Sequence, residues 1–183
     1  MKIEHYSKTI PLKEGMTAEF KNAQLTIKDK DGELSRVFPS KKVSISIKDN
    51  EITVQASNVT KREKKTIGTY AAHIRNMVRG LEEPFTYKLK VCASHFPMNV
   101  SVDGDTFVVK NYIGEVVPRK LKIKQGVKVN VEGEVITVQA PDKELAGQAA
   151  ASIEQLCRRP NFDRRIFQDG IYIIQKDIKE ITI

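Results

Sequence analysis

Alternating apolar and polar residues mark the strands of this chain. Three apolar residues alternate with polar ones, as a strand with one buried face requires: Val43, Ile45 and Ile47. The pair Asp49-Asn50 then predicts a turn into a second strand over residues 51–56, which gives a hairpin. Asp31-Gly32 and residues 111–114 predict further turns.

A sequence repeat organises the whole chain. The pentapeptide at residues 52–56 recurs identically at residues 136–140, and the flanking apolar positions follow in the same order. The three residues that match Val43, Ile45 and Ile47 are Val127, Val129 and Val131. Two copies are too few for a solenoid. The sequence therefore predicts an α+β protein of two tandem homologous domains, 1–84 and 85–183, each mainly antiparallel β-sheet with one α-helix.

Each copy ends in a segment with helical spacing. We expect Gly80 to end the first helix, Asp142 to cap the second and Pro160 to stop it. The predicted buried positions are Ile67, Tyr70, Ala71, Ile74, Met77 and Val78 in the first helix, and Leu145, Ala149, Ile153, Leu156 and Cys157 in the second.

Some segments show no counterpart in the other copy. Residues 85–91 alternate as a strand and lead into residues 95–98, which we interpret as the link between the domains. Residues 158–183 extend beyond the second helix. Features present in one copy alone are the better candidates for function.

Composition excludes several classes of protein. No apolar run approaches the roughly 20 residues of a membrane span, and the N-terminal residues include acids and no apolar core, unlike a signal peptide. Cys92 and Cys157 have no CxxC spacing, so neither a zinc site nor a disulfide framework is expected. Catalytic, phosphate-loop and dinucleotide motifs are missing from the sequence. We expect no enzyme, no cofactor, no metal and a cytoplasmic setting.

The net charge of +8 favours a polyanionic partner. One concentration of charge is the lysine strand, residues 120–124, where Lys120, Lys122 and Lys124 alternate with apolar residues and Arg119 flanks them. A line of cations along a strand can follow a phosphate backbone. Lysines also protect an edge strand from aggregation, and the sequence leaves both interpretations open.

A second cluster precedes the apolar face of the first helix. Its members are Lys61, Arg62, Lys64 and Lys65. Cations at a helix N-terminus oppose the helix dipole, so they do not stabilise the helix locally. A solvated face is the favoured interpretation.

The third cluster is the arginine segment, residues 158–165. It contains Arg158, Arg159, Arg164 and Arg165, together with Asn161 and Phe162. Arginine binds phosphate through a planar fork and stacks on bases. Asp169-Gly170 predicts a turn into the next strand, so the segment is expected to be held between a helix and a strand. We interpret it as a positioned polyanion site.

The run Arg165-Ile166-Phe167-Gln168-Asp169-Gly170-Ile171-Tyr172-Ile173 resembles the C-terminal signature of archaeal and eukaryotic members of the L-six family of large ribosomal subunit proteins. The helix at residues 147–153 and the segments 110–115, 73–80 and 96–100 resemble the same family. The resemblance covers essentially the whole chain and is of the archaeal type.

This resemblance implies a structural protein that binds large-subunit ribosomal RNA mainly through its second domain. It implies a place near the translation-factor-binding region, beside the sarcin–ricin loop and the stalk base, with neighbouring ribosomal proteins as further partners. The RNA-binding residues expected on this basis are Arg158, Arg159, Asn161, Arg164, Arg165, Gly170, Tyr172, Lys110 and Tyr112, with Lys120, Lys122 and Lys124 as a weaker transfer. Phosphate contacts would position the protein and RNA shape would supply specificity.

Other functions remain open at this point. A non-ribosomal RNA-binding module would explain the charge and the repeat equally well, but would be found outside ribosomes. A protein–protein scaffold would bind through the outer helix faces with little salt dependence. An enzyme would need a pocket with perturbed titrating groups.

Overall fold

A computed structural model describes residues 3–30, 32–48, 50–163 and 165–181, and the fold is given for these. The chain divides into two compact units, Met1–Glu83 and Pro84–Ile183. Each unit has its own hydrophobic core. Both units combine antiparallel strands with a single α-helix, which confirms the predicted fold class.

The first unit contains two antiparallel sheets and one long helix. Its elements are β1 (Ile3–Pro11), β2 (Thr17–Lys21), β3 (Gln24–Asp29), β4 (Gly32–Val37), β5 (Ser44–Lys48), β6 (Glu51–Val59) and α1 (Lys61–Glu82). The strand orders are β1-β6-β5 and β2-β3-β4. The predicted hairpin is β5 with β6, where Ile45 lies opposite Val54. The predicted turn residues Asp31 and Asp49 lie outside the described residues.

The second unit repeats this plan and adds to it. Its elements are β7 (Phe85–Cys92), β8 (Asn99–Asp103), β9 (Thr106–Lys110), a 3-10 turn (Tyr112–Gly114), β10 (Arg119–Lys122), β11 (Lys128–Glu132), β12 (Val135–Ala140), α2 (Lys143–Leu156), β13 (Gly170–Lys176) and β14 (Lys179–Glu180). The strand orders are β10-β9-β8 and β11-β12-β7-β13-β14.

Strand β7 is the counterpart of β1, although the sequence suggested that it had none. Leu89 of β7 lies opposite Ile136 of β12, just as Ile10 of β1 lies opposite Ile52 of β6. The equivalence was hidden because a strand conserves alternation rather than identity. The interpretation of residues 95–98 as a domain link is wrong, since they join β7 to β8 inside the second unit.

Strand β13 distinguishes the second unit. It pairs antiparallel with β7, on the side of β7 away from β12. Among the described strands of the first unit, none pairs with the corresponding edge of β1. The chain that runs from α2 to β13 is therefore an addition to the repeat, and it contains the arginine segment.

The two helices differ from prediction in detail. Helix α1 does not end at Gly80, which is buried, but continues to Glu82. Pro84 stops it, because the residue before a proline is disfavoured in the helical conformation. Asp142 caps α2 as predicted, accepting a 2.8 Å hydrogen bond from the Glu144 amide.

The buried face of α2 also lies slightly away from the predicted one. Its buried residues are Ala146, Ala150 and Ile153, followed by Cys157 just past the helix end. Leu145, Ala149 and Leu156, which were predicted to be buried, are half-buried at the margin. The buried face of α2 is thus formed mainly by the small side chains of Ala146 and Ala150, together with Ile153.

Candidate nucleic-acid interface

The arginine segment follows α2 directly. The helix ends at Leu156, and the Arg158 amide then donates to the Gln155 carbonyl at 3.0 Å. Arg158, Arg159, Asn161 and Arg165 are all exposed. Arg164, also predicted to bind RNA, lies outside the described residues. The described part of the segment therefore presents its predicted polar side chains to solvent.

Phe162, in the arginine segment, packs against Phe167, which lies two residues beyond the segment. The rings of Phe162 and Phe167 meet edge to face, with centroids 5.1 Å apart. The Arg159 guanidinium lies 3.9 Å from the Phe162 ring centroid, within cation–π range. Both rings remain substantially exposed, at 40% and 52%. They present aromatic surface beside cationic side chains.

Arg165 is less free than the sequence suggested. Its guanidinium donates to Asp163 through Nε at 3.1 Å and Nη2 at 2.7 Å, and its amide donates to the same carboxylate. The side-chain hydrogen bond from Arg165 lowers the pKa of Asp163 and raises that of Arg165. Part of its charge is thus neutralised locally. Among the described residues, Arg158 and Arg159 form no hydrogen bond with a carboxylate, although the charge of Arg159 contributes to the lowered pKa of Glu115.

Asp169 attaches the far end of the loop to the second unit. Its Oδ1 accepts hydrogen bonds from the Ser94 amide at 2.7 Å and from the Ser94 hydroxyl at 2.9 Å. The backbone hydrogen bond from Ser94 is the main cause of the lowered pKa of Asp169. Asp169 is consequently not the turn residue predicted from Asp169-Gly170, and β13 begins at Gly170.

Tyr112 lies beneath the segment rather than on the surface. It is only 2% exposed, and its hydroxyl donates to the Cys157 carbonyl. Burial raises the pKa of Tyr112 and raises that of the Cys157 thiol to about 11. A direct RNA contact from this ring, as expected from the sequence, is incompatible with its burial. Tyr112 instead supports the chain where α2 ends.

Arg119, on β10, supports the same point from the other side. Its guanidinium lies 4.2 Å from the Tyr112 ring centroid and donates to the Leu156 carbonyl at 2.7 Å. It also forms a two-point ion pair with Glu115, at 2.8 and 2.6 Å. The hydrogen bond from Arg119 lowers the pKa of Glu115. The sequence placed Arg119 beside the lysines, whereas in the structure its side chain contacts Tyr112 and the Leu156 carbonyl and so supports the start of the arginine segment.

A cavity of about 360 Å³ lies between α2, the arginine segment and β13. We call it the aromatic cavity; its lining includes Tyr112, Glu154, Arg158, Arg159, Phe162, Phe167, Asp169, Gly170 and Tyr172. Gly170 is buried, and a Cβ atom there would lie 3.2 Å from the Tyr172 ring. Gly170 thus allows the Tyr172 ring to approach the backbone. The Gly170 backbone and the Tyr172 ring, both predicted as site residues, therefore form part of the cavity wall.

The lysine strand lies at the edge of the β10-β9-β8 sheet. Lys120, Lys122 and Lys124 are exposed, whereas Leu121 and Ile123 are half-buried, as the alternation predicts. Lys124 follows the end of β10, and its ammonium donates to Gln148 Oε1 at 2.7 Å. Lys110, at the end of β9, is also exposed. Lys120 and Lys122 thus lie exposed on β10, and Lys124 lies exposed just beyond its end.

The cationic cluster at the start of the first helix includes one acidic residue, Glu63, in its first turn. Thr60 and Glu63 form a capping box in which the Thr60 amide donates to Glu63 at 2.9 Å. Hydrogen bonds from the Thr60 side chain and amide lower the pKa of Glu63 to about 2. The neighbouring cations Lys61, Arg62, Lys64 and Lys65 are exposed, as a solvated face requires. Sequence reasoning missed this capping box, although Thr60 and Glu63 have its spacing.

Within the described residues, no three His, Cys, Asp or Glu side chains are grouped so that they could hold a metal ion. The described helices include none that is long and apolar enough to cross a membrane.

The fold and this surface define a duplicated α+β protein whose second copy carries an exposed cationic and aromatic addition. The family model for Ribosomal protein L6 matches residues 12–83 and 96–170, and the second match includes the arginine segment. The chain therefore belongs to the ribosomal protein L6 family, which confirms the resemblance found in the sequence.

Individual relatives agree over nearly the full length. The chain is 39% identical over 174 residues to the large ribosomal subunit protein uL6 of Methanosarcina mazei, covering 95% of this chain and 99% of that protein. It is 38% identical over 189 residues to uL6 of Nanoarchaeum equitans, covering 99% and 98%. With uL6 of Aeropyrum pernix it shares 37% identity over 175 residues, covering 95% and 96%.

Proposed function

We propose that this protein is a structural component of the large ribosomal subunit that binds large-subunit ribosomal RNA, mainly through its second unit. Membership of the ribosomal protein L6 family supports association with the ribosome. The arginine segment supports the RNA contact, because guanidinium groups bind phosphate oxygens through two parallel hydrogen bonds. The family's members are ribosomal proteins, so no catalytic role is proposed.

The observation that carries this proposal is the attachment of the arginine segment at both ends. Tyr112 and Arg119 hold its start through the carbonyls of Cys157 and Leu156. Ser94 holds the Asp169 side of the loop. Cations on a fixed loop lose less conformational freedom on binding than cations on a free one. Arg158 and Arg159 therefore form a positioned phosphate site.

The finer parts of the proposal are supported by the resemblance to the family. We place the RNA-binding domain at residues 85–183 and assign residues 1–84 to contacts with neighbouring ribosomal proteins. Lys110 and the lysine strand add phosphate contacts beside the arginine segment. The bound protein would lie near the translation-factor-binding region of cytoplasmic ribosomes. Cross-linking from a photoreactive residue at position 166, which is exposed, would locate the contacted RNA.

The first test replaces Arg158, Arg159, Arg164 and Arg165 together with alanine. Each lost phosphate contact removes roughly 0.7 to 0.9 from the slope of log affinity against log salt concentration. We expect the slope to become less steep by about three units, and incorporation into large subunits to fall. Filter binding to purified large-subunit ribosomal RNA across a salt series measures the slope, and sedimentation measures incorporation.

The first helix offers a control with the same loss of charge. Replacing Lys61, Arg62, Lys64 and Lys65 with alanine also removes four exposed cations. This variant should keep most of the salt slope and still enter the subunit. Equal slopes for both variants would contradict the assignment of the RNA contact to the arginine segment. A wild-type protein that sediments entirely apart from large subunits would favour a non-ribosomal RNA-binding module.

A further inference from the structure

We propose that the aromatic cavity receives a single unpaired nucleobase of the bound RNA, and that guanine fits it best. This inference rests on the proposed function, because it needs the second unit to bind RNA. The arginines would hold the phosphates outside, while the cavity would take the base attached between them. The protein would then recognise one extruded base in addition to the shape of the backbone.

The walls of the cavity suit a flat aromatic ligand. Phe162 and Phe167 stand at 86° to each other and expose much of their surface. Tyr172 forms another part of the lining, with its ring close to Gly170. Proteins that bind single-stranded RNA commonly stack unpaired bases on such side chains. Two exposed phenylalanines on a polar loop are otherwise costly in water, and a stacked base would cover them.

The lining of the cavity is mixed in charge. Glu154 and Asp169 line it together with Arg158 and Arg159. The two carboxylates offset the two guanidinium charges, so the cavity as a whole is less favourable for a phosphate than the arginines alone would make it. A base is neutral and carries N–H donors that a carboxylate can accept. This mixed lining matches a nucleotide whose phosphates contact the exposed arginine side chains and whose base lies against the acids.

Glu154 is held ready to accept hydrogen bonds. Its Oε1 accepts from the Ile173 amide at 3.2 Å, which fixes the carboxylate against β13. Its second oxygen accepts no hydrogen bond from the residues that the structure describes. A carboxylate can accept two parallel N–H donors. Guanine presents such a pair at its N1–H and its N2 amino group, which is why we favour it over the other bases.

The size of the cavity is consistent with one base. Its volume of about 360 Å³ lies at the small end of the roughly 300 to 1,000 Å³ found for ligand pockets. A paired base could not enter, since it would remain stacked in a helix. The inferred site thus requires an RNA nucleotide that is already unpaired, such as one in a loop or bulge.

Replacing Glu154 with glutamine tests the inference, because the two explanations predict opposite changes in RNA affinity. Glu154→Gln removes a negative charge, so simple electrostatics predicts tighter binding to RNA. Loss of an acceptor for the base predicts weaker binding, by roughly tenfold, with an unchanged salt slope because no phosphate contact is lost. The matched control is Glu134→Gln, which removes the same charge at an exposed turn of the same unit and should leave the affinity unchanged or slightly higher.

Phe167→Leu provides a second variant that keeps an apolar side chain but loses the ring. We expect roughly 5- to 150-fold weaker binding from lost stacking, again with the wild-type salt slope. Both variants should show the wild-type circular dichroism spectrum and melting profile. A glyoxal reagent that modifies N1 and N2 of unpaired guanines should find one guanine protected by the wild-type protein and exposed in both variant complexes.

The outcomes separate this inference from the proposed function. If the wild-type protein binds ribosomal RNA but protects no single guanine, or if Glu154→Gln behaves like Glu134→Gln, the base site is overturned while RNA binding stands. Protection of an unpaired base other than guanine, lost in Phe167→Leu, would support the stacking and overturn the guanine preference. If the wild-type protein does not bind ribosomal RNA at all, the proposed function itself fails.

Discussion

The arginine segment and the lysine strand carry comparable charge but are built differently. The lysine strand is a regular edge of the β10-β9-β8 sheet, where side-chain alternation alone exposes Lys120 and Lys122. The arginine segment has no regular secondary structure and is held by side chains from distant parts of the chain. A sheet edge can present charge without further support, whereas an irregular loop presents it in a defined place only when other residues hold it.

This difference suggests a division of roles. Lysine offers a hydrated point charge on a flexible stem, which attracts phosphate at many orientations. The arginine segment combines directional donors with aromatic rings and the aromatic cavity. We therefore expect the lysine strand to contribute mainly salt-dependent affinity and the arginine segment to contribute position and specificity.

A large effect on RNA binding is expected when Lys120, Lys122 and Lys124 are replaced together with alanine. Because Lys124 is already hydrogen-bonded to Gln148, we expect the salt slope of RNA binding to fall by about two units rather than three. The same RNA nucleotides should remain protected, since the arginine segment is untouched. Salt titration and chemical footprinting on large-subunit ribosomal RNA give the two readings.

The arginine quadruple variant is the reference for this experiment. It should show both the less steep salt dependence and a loss of protection at the contacted nucleotides. If the lysine variant instead loses its footprint while the arginine variant keeps it, the two surfaces have the opposite roles. An unchanged slope in the lysine variant would show that these lysines only protect a sheet edge.

A smaller effect separates two neighbours on β10. Arg119→Ala removes the hydrogen bond to the Leu156 carbonyl and the stacking on Tyr112, whereas Lys120→Ala removes an exposed cation. We expect Arg119→Ala to lower the free energy of unfolding by about 1 to 3 kcal/mol, and Lys120→Ala to change it by less than about 0.5 kcal/mol. Denaturant titration measures both values.

Because the two variants lose the same charge, any difference in stability reflects the packing and hydrogen bonds of Arg119. Its ion pair with Glu115 is partly exposed and adds little by itself. Similar stabilities for the two variants would show that the contacts of Arg119 do not stabilise the end of α2. The arginine segment would then depend on Tyr112 and Ser94 alone.

Local sequence features predicted much of this arrangement. The repeat and the alternation at residues 43–47 and 127–131 indicated the strands, because the side-chain direction in a strand depends only on its own backbone. The position of the arginine segment after the second helix also followed from the sequence. Asp142 was recognisable as a cap because a capping side chain contacts its own helix.

Contacts between residues far apart in the sequence could not be predicted from the sequence. Ser94 and Asp169 are separated by 75 residues, and only the pairing of β13 with β7 brings them together. Tyr112 was expected to bind RNA because its segment resembles the family, yet the fold buries it next to the end of α2. The helix continues past Gly80 although glycine has a low helix propensity, because the tertiary context of a helix overrides such propensities.

The smallest predicted effect concerns the attachment at Asp169. Its lowered pKa means that the folded state favours the charged carboxylate, so the contribution to stability is present above the ordinary pKa and is lost as pH falls through the lowered one. Ser94→Ala removes the hydroxyl donor but keeps the amide, so at pH 7 we expect a loss of about 0.5 to 1 kcal/mol. This difference from wild type should shrink as pH falls below about 4 and through the lowered pKa of the folded carboxylate, while Ser101→Ala, at an exposed position on β8, should show no such dependence. If the difference in unfolding free energy between Ser94→Ala and wild type stays constant as pH falls, Ser94 does not act through the charged carboxylate. The loop that contains the arginine segment would then need no support from Ser94, just as the lysine strand needs none from distant residues.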